Sequence, residues 1–254
     1  MIEESNKQTG SLGVKFVAEF FNMLMAYQRI YINLSKGGVL SNDAVVQIEE
    51  AFLLKLVTEW EVFSYNILTY CVSLDTKKLS KNLDLTLPSA ITFDNAQAII
   101  NGMNFTSFSN IKELNVIAKG ILVSKFNPFQ QFLRPMTKHI NEAIIIRNYI
   151  AHKSNSSKQK LLKVYRAYGI RKFVEPGEFL QIVRDFKIKT FSFSSLCYMI
   201  FMSVAVITLR LIDRNIYNLA FPDDKTPYEM GIAKMYIMFN HLSQYKDPDF
   251  PANF

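Results

Sequence analysis

One segment of this chain concentrates residue types that can do chemistry. Ile144-Ile145-Ile146-Arg147-Asn148-Tyr149-Ile150-Ala151-His152 places an arginine, an asparagine and a histidine in otherwise apolar sequence. The chain contains only three histidines, His139, His152 and His241. A histidine titrates near neutrality, and an arginine carries a permanent charge whose planar fork matches phosphate, so the pair suits chemistry on a phosphodiester. Spacing alone does not single it out, because Arg134-Pro135-Met136-Thr137-Lys138-His139 repeats it. The setting does. On an ideal helix Arg147 falls within about 20° of Ile140 and about 60° of Ile144, on an apolar face where a charge needs a partner. His152 lies about 140° round from Arg147 but only about 40° from Asn148, which makes Asn148 and His152 an i, i+4 pair.

Charge is gathered around the same segment. Between Leu114 and Val174 there are twelve lysines and arginines and a single acid, Glu142. That surplus of eleven leaves the remainder of the +7 chain with a net of four negative charges. Such a distribution is expected of a polyanion-binding site, although a solvated lysine-rich face would give the same count. Lys153 and Lys158, just beyond His152, are candidates for contacts to a nucleic-acid backbone.

The elements that must hold these residues read as helices. With 254 residues, 49% hydrophobic and 20% charged, the chain has the composition of a folded protein. Nine glycines and eight prolines leave room for long periodic segments. A first helix is expected from Ser11 to Asn33, interrupted at Lys36-Gly37-Gly38. A second starts near Ser41-Asn42-Asp43, whose side chains can cap free N–H groups, and runs to about Leu74. Its apolar stripe is Phe52, Leu56, Trp60, Phe63, Ile67 and Tyr70. Asp75 to Thr92 reads as a loop, followed by helices at Asp94–Asn101 and Asn110–Ser124, the latter with Asn110 and Glu113 at capping-box spacing. Arg134-Pro135 opens the helix that ends near His152. Lys153–Lys158 reads as a loop, Lys160–Tyr168 as a helix, and Pro176-Gly177 as a turn. The organisation expected is one all-α domain over residues 1–254.

Thr190–Leu209 is a run of twenty uncharged positions flanked by Lys187, Lys189, Arg210 and Arg214. Its length would span a bilayer, but its serines and the lack of a second such run favour the central helix of a bundle. Cys71 and Cys197 sit in apolar sequence without CxxC spacing, as buried thiols of a reducing compartment would. The N-terminus lacks the basic start and apolar run of a signal peptide, so a cytoplasmic location is expected. No cluster of His, Cys, Asp or Glu has metal-ligand spacing, and no cofactor is expected.

The Arg-His segment also admits a structural account. Arg147 would be tied to a carboxylate of another helix, and His152 would favour the dipole at the end of its own. The acids available lie in Thr58-Glu59-Trp60-Glu61-Val62-Phe63. Glu59 and Glu61 flank the apolar stripe on opposite sides, each about 100° from its centre, and the wheel does not choose between them.

At these residues the chain resembles a family. Arg147-Asn148-x-x-x-His152 at the end of a helix is similar to the R-x(4–6)-H motif of HEPN domains. Trp60-Glu61 in an earlier long helix is similar to the Trp-Glu of the RiboL-PSP-type group, and Asn110–Leu114 is compatible with it. The likeness covers roughly residues 41–172, with the first helix and a C-terminal extension over 176–254 outside it. The resemblance implies a bundle of four or more helices, forming a homodimer with motifs of both protomers facing across a basic cleft. It also implies a metal-independent endoribonuclease of a toxin or anti-phage system, with an antitoxin or other defence protein as possible partner. His152 would act on the ribose 2′-hydroxyl, Arg147 on the scissile phosphate, and Asn148 would orient the backbone, with Glu61 or Glu59 as the supporting acid. Two alternatives stand beside this reading: a non-catalytic RNA- or nucleotide-binding module of the same fold, and a membrane-anchored helical protein using Thr190–Leu209. Tyr228–Phe254, rich in aromatic residues, belongs either to the core or to an interface.

Overall fold

A computed structural model describes residues 2–36, 41–103, 108, 110–186 and 188–220. His241 and the aromatic segment Tyr228–Phe254 lie outside the described residues. The fold is all-α: α1 (Ile2–Lys36), α2 (Asn42–Leu74), α3 (Lys77–Leu83), α4 (Phe93–Gly102), α5 (Ile111–Ile121), α6 (Arg134–His152), α7 (Asn155–Ala167), α8 (Pro176–Gln181), α9 (Phe193–Ile212) and α10 (Arg214–Ala220). Two short 3-10 turns, Ser124–Phe126 and Pro128–Gln131, lead into α6. A two-stranded antiparallel ribbon, β1 (Val183–Phe186) and β2 (Ile188–Ser192), precedes α9.

Local chemistry explains most of the boundaries. The Ser41 hydroxyl accepts from the Ala44 N–H, and Asn110 Oδ1 accepts from the Glu113 N–H at 2.9 Å, each supplying an acceptor to an otherwise orphaned donor of a first turn. Pro135 occupies the first turn of α6, where its missing N–H costs nothing. Helix α1 is longer than the expected Ser11–Asn33 at both ends, and four further segments differ from the sequence reading. The stretch 75–92 is not all loop: Asp75 Oδ1 accepts from the Lys77 N–H and starts α3. The polar run after His152 is not a loop either, because the Ser154 hydroxyl accepts from the Ser157 N–H at 3.1 Å and α7 begins at Asn155. Pro176-Gly177 opens a short helix, α8, instead of making a plain turn. Finally, Thr190–Ser192 belong to β2, and the apolar helix starts only at Phe193, with Ser192 as its cap.

The core is built around α2 and α9. Helix α1 packs along both, α6 crosses both, and α8 closes against them; α7 lies on α6. Helix α9 is long and apolar enough to cross a membrane, with a mean hydropathy of 2.0, yet fourteen of its twenty residues are buried within the protein. Its hydroxyls are compatible with that burial. Ser203 donates to the Met199 carbonyl and Thr208 to the Val204 carbonyl, both at 2.8 Å, so neither is left without a partner. An aromatic cluster ties the elements together. Phe20 of α1 stacks on Phe63 of α2 at 4.5 Å, and Trp60 lies 5.6 Å from Phe201 of α9 and 6.1 Å from Phe132. Where α8 meets α2 the backbones nearly touch. A Cβ on Gly177 would sit 2.2 Å from the Val46 carbonyl oxygen, so only glycine fits. Cys71 and Cys197 are both buried and free, and burial pushes the Cys71 thiol up to about 12.

Candidate active site

Helix α6 presents two different ends. Its apolar positions Met136, Ile140, Ala143 and Ile144 are buried against α2 and α9. Arg147 leaves that face on the α2 side and pairs with Glu61 through Nη2 and Oε1. The two side chains are 17% and 30% exposed, so the pair is shielded from bulk water without being dry. This settles which acid serves Arg147. Glu59 instead holds Lys55 one turn earlier on its own helix. The reason is tertiary: Trp60 is locked into the aromatic cluster, which fixes the rotation of α2 and turns Glu61 towards α6.

The electrostatics of the pair are uneven. Burial pushes the Glu61 carboxyl above its ordinary range, and the Arg147 guanidinium, which pulls it down, does not cancel that. Arg147 Nε is buried and has no hydrogen-bond partner among the described residues.

Asn148 is half-buried and His152, at the last position of α6, is exposed, so the two lie side by side along the helix edge. Lys153 follows in the left-handed conformation, φ 45° and ψ 29°, and its N–H donates to the Tyr149 carbonyl at 2.8 Å. Two residues, Lys153 and Ser154, thus join α6 to α7, and His152 stands at a sharp corner between two packed helices. Lys153 is exposed. Lys158 is less available as a backbone contact, since its ammonium lies 4.4 Å from the centroid of the Phe173 ring.

The other end of α6 holds a constellation the sequence reading passed over. His139, Glu142 and Tyr168 are all buried. Glu142 Oε2 accepts from the Tyr168 hydroxyl at 2.7 Å and lies 2.9 Å from His139 Nδ1, which is itself 3.1 Å from the Tyr168 hydroxyl. Lys138 stands 3.7 Å from Glu142 Oε1. Burial would raise the Glu142 carboxyl, but the hydrogen bonds from His139 and Tyr168 and the charges of His139 and Lys138 hold it below its usual value. His139 and Glu142 sit three apart on one helix, a signal open to inspection; Tyr168 arrives from beyond α7 and gave none. Among the described residues no three His, Cys, Asp or Glu side chains gather as a metal site requires.

No protein-family model matches the chain, and no curated protein or solved structure matches it. What the site can do follows from its own residues.

Proposed function

We propose that the protein is an endoribonuclease that cleaves RNA through attack of the 2′-hydroxyl on the adjacent phosphate, in the manner of HEPN domains. The observation that carries this reading is the corner itself. An exposed His152 ends the helix that holds Arg147, whose charge is anchored by Glu61 and whose side chain is still partly exposed. In the reaction His152 would take the proton from the 2′-hydroxyl. The oxygen attacks phosphorus, the bond to the 5′-oxygen breaks, and a 2′,3′-cyclic phosphate and a 5′-hydroxyl end result. Arg147 would balance the charge added at phosphorus, and Asn148 would position the backbone. Attack by a neighbouring hydroxyl is intramolecular, so orientation and charge stabilisation suffice without a metal ion. The 5′-oxygen must gain a proton as it leaves. A second His152 from a homodimeric partner would supply it, which gives a composite site a chemical purpose. A cytoplasmic toxin or defence role, with a neutralising protein partner, fits a nuclease of this kind.

The test is incubation of the purified protein with a generic RNA in the presence of EDTA. Cleavage yielding 2′,3′-cyclic phosphate ends, lost in both H152A and R147A, is the expected result. Cutting by both variants at the wild-type rate would sink the assignment. The second reading, a non-catalytic RNA- or nucleotide-binding module, is favoured by one feature: Glu61 already balances the charge of Arg147 within the chain. Binding without cleavage by the wild-type protein would select it.

A further inference from the structure

We infer that the outward face of α7 is a binding track for single-stranded nucleic acid, running from the corner at His152 along Lys160, Lys163 and Arg166. The inference rests on the ribonuclease reading for its end-point but not for its binding chemistry. Leu161, Val164 and Tyr165 are buried and define the inward side of α7. On an ideal helix Lys163 and Arg166 then fall within about 40° of the outward direction, and Lys160 lies on the flank at about 90°. All three are exposed. Spaced at three residues, they rise about 4.5 Å per step, a pitch a flexible phosphate backbone can follow. Helix α7 itself contains no acid. Glu175, Glu50 and Glu178 act on Tyr165, at the inward side of α7.

The occupant follows from what the face lacks. Its exposed positions Asn155, Ser156, Gln159, Lys160, Lys163, Arg166 and Ala167 include no aromatic or large aliphatic side chain, and Leu162 on the flank is partly buried and packs against the core. A lipid-binding helix needs such residues to enter the headgroup boundary, and a protein interface needs them as anchors. A row of cations without apolar anchors suits a polyphosphate chain, which binds by displacing counterions. Lys153 at the corner extends the row to His152.

The experiment measures the affinity of a fluorescent 20-nucleotide single-stranded DNA, which has no 2′-hydroxyl and cannot be cut by the proposed route. The variants are K160E/K163E/R166E, the glutamine triple K160Q/K163Q/R166Q, and a control with the same charge change at exposed lysines of other helices, K77E/K81E/K112E. The ridge reversal is expected to weaken binding at least 20-fold. The glutamine triple should flatten the slope of log affinity against log salt by about 2, from three lost phosphate contacts. The control should keep most of the affinity. Wild-type affinity in both ridge variants, an equal loss in the control, or a ridge effect on anionic phosphatidylserine vesicles but not on DNA would each overturn the track. The two readings fail separately. RNA cleavage with ridge-independent DNA binding removes the track alone, whereas ridge-dependent binding without cleavage removes the nuclease alone.

Discussion

Helix α6 carries the same arginine–histidine spacing at both of its ends, and the two ends have opposite exposure. At the first, Arg134 is exposed and His139 is buried in a closed set of hydrogen bonds with Glu142 and Tyr168. At the second, Arg147 is mostly buried against Glu61 and His152 is exposed. A buried histidine with satisfied neighbours holds helices together. An exposed one beside an anchored cation can meet a substrate. Sequence spacing is blind to this difference, because it is set by which face of α6 meets α2, α7 and α9.

The contrast can be broken by mutation. The largest effect is expected for H152A, which should lower the rate of RNA cleavage by about 10²–10⁴ while leaving the unfolding midpoint in urea unchanged. If H152A proves unstable instead, the two ends are not different in kind. H139A should behave conversely. It removes one of the buried partners of Glu142 and should cost about 1–3 kcal/mol of stability, with cleavage per folded molecule retained. Y168F should cost less, about 0.5–1.5 kcal/mol, and should also alter the acid limb of the stability curve. Glu142 has its carboxyl held below the usual 4.5, so it adds stability above that value which is lost as pH falls through the folded one. Without the Tyr168 donor the folded value rises, and urea midpoints between pH 5 and 3 should fall less steeply than in wild type. The smallest effect is at the corner. K153G relieves a left-handed backbone but adds freedom to the unfolded chain, so stability should move by no more than about 0.5 kcal/mol. A larger loss in denaturant titration would mean that the Lys153 side chain matters to the fold.

Much of the fold was legible because it is local. Ser41 and Asn110 announced their helices, Pro135 marked the start of α6, and the helical wheel turned Arg147 towards a carboxylate. What was not legible depends on neighbours far along the chain. Glu59 and Glu61 are equivalent on a wheel, and only the docking of Trp60 against Phe132 and Phe201 separates them. The polar run Lys153–Lys158 has the composition of a loop and of a capped first turn alike, and the Ser154 hydroxyl decides for helix. The ribbon at 183–192 was hidden because its strands are four and five residues long, with a register shift between Arg184 and Phe186 that blurs any alternation. Of the candidate site, Arg147, Asn148 and His152 were visible as a pattern, whereas the cationic face of α7 was visible only as a count of charges.

The central position of α9 bears on how the chain can be made. On a ribosome adding about 5–20 residues per second, roughly 150 residues separate the start of α2 from the start of α9, so about 8–30 s pass before α9 is available. During that interval the apolar sides of α1, α2 and α6 lack the helix that covers them in the folded protein. A transcript or protease cut that ends the protein before residue 193 would release a sticky fragment and not a smaller working domain. The corner at His152 and the α7 face, though encoded earlier, reach their packed setting only once α9 has been added.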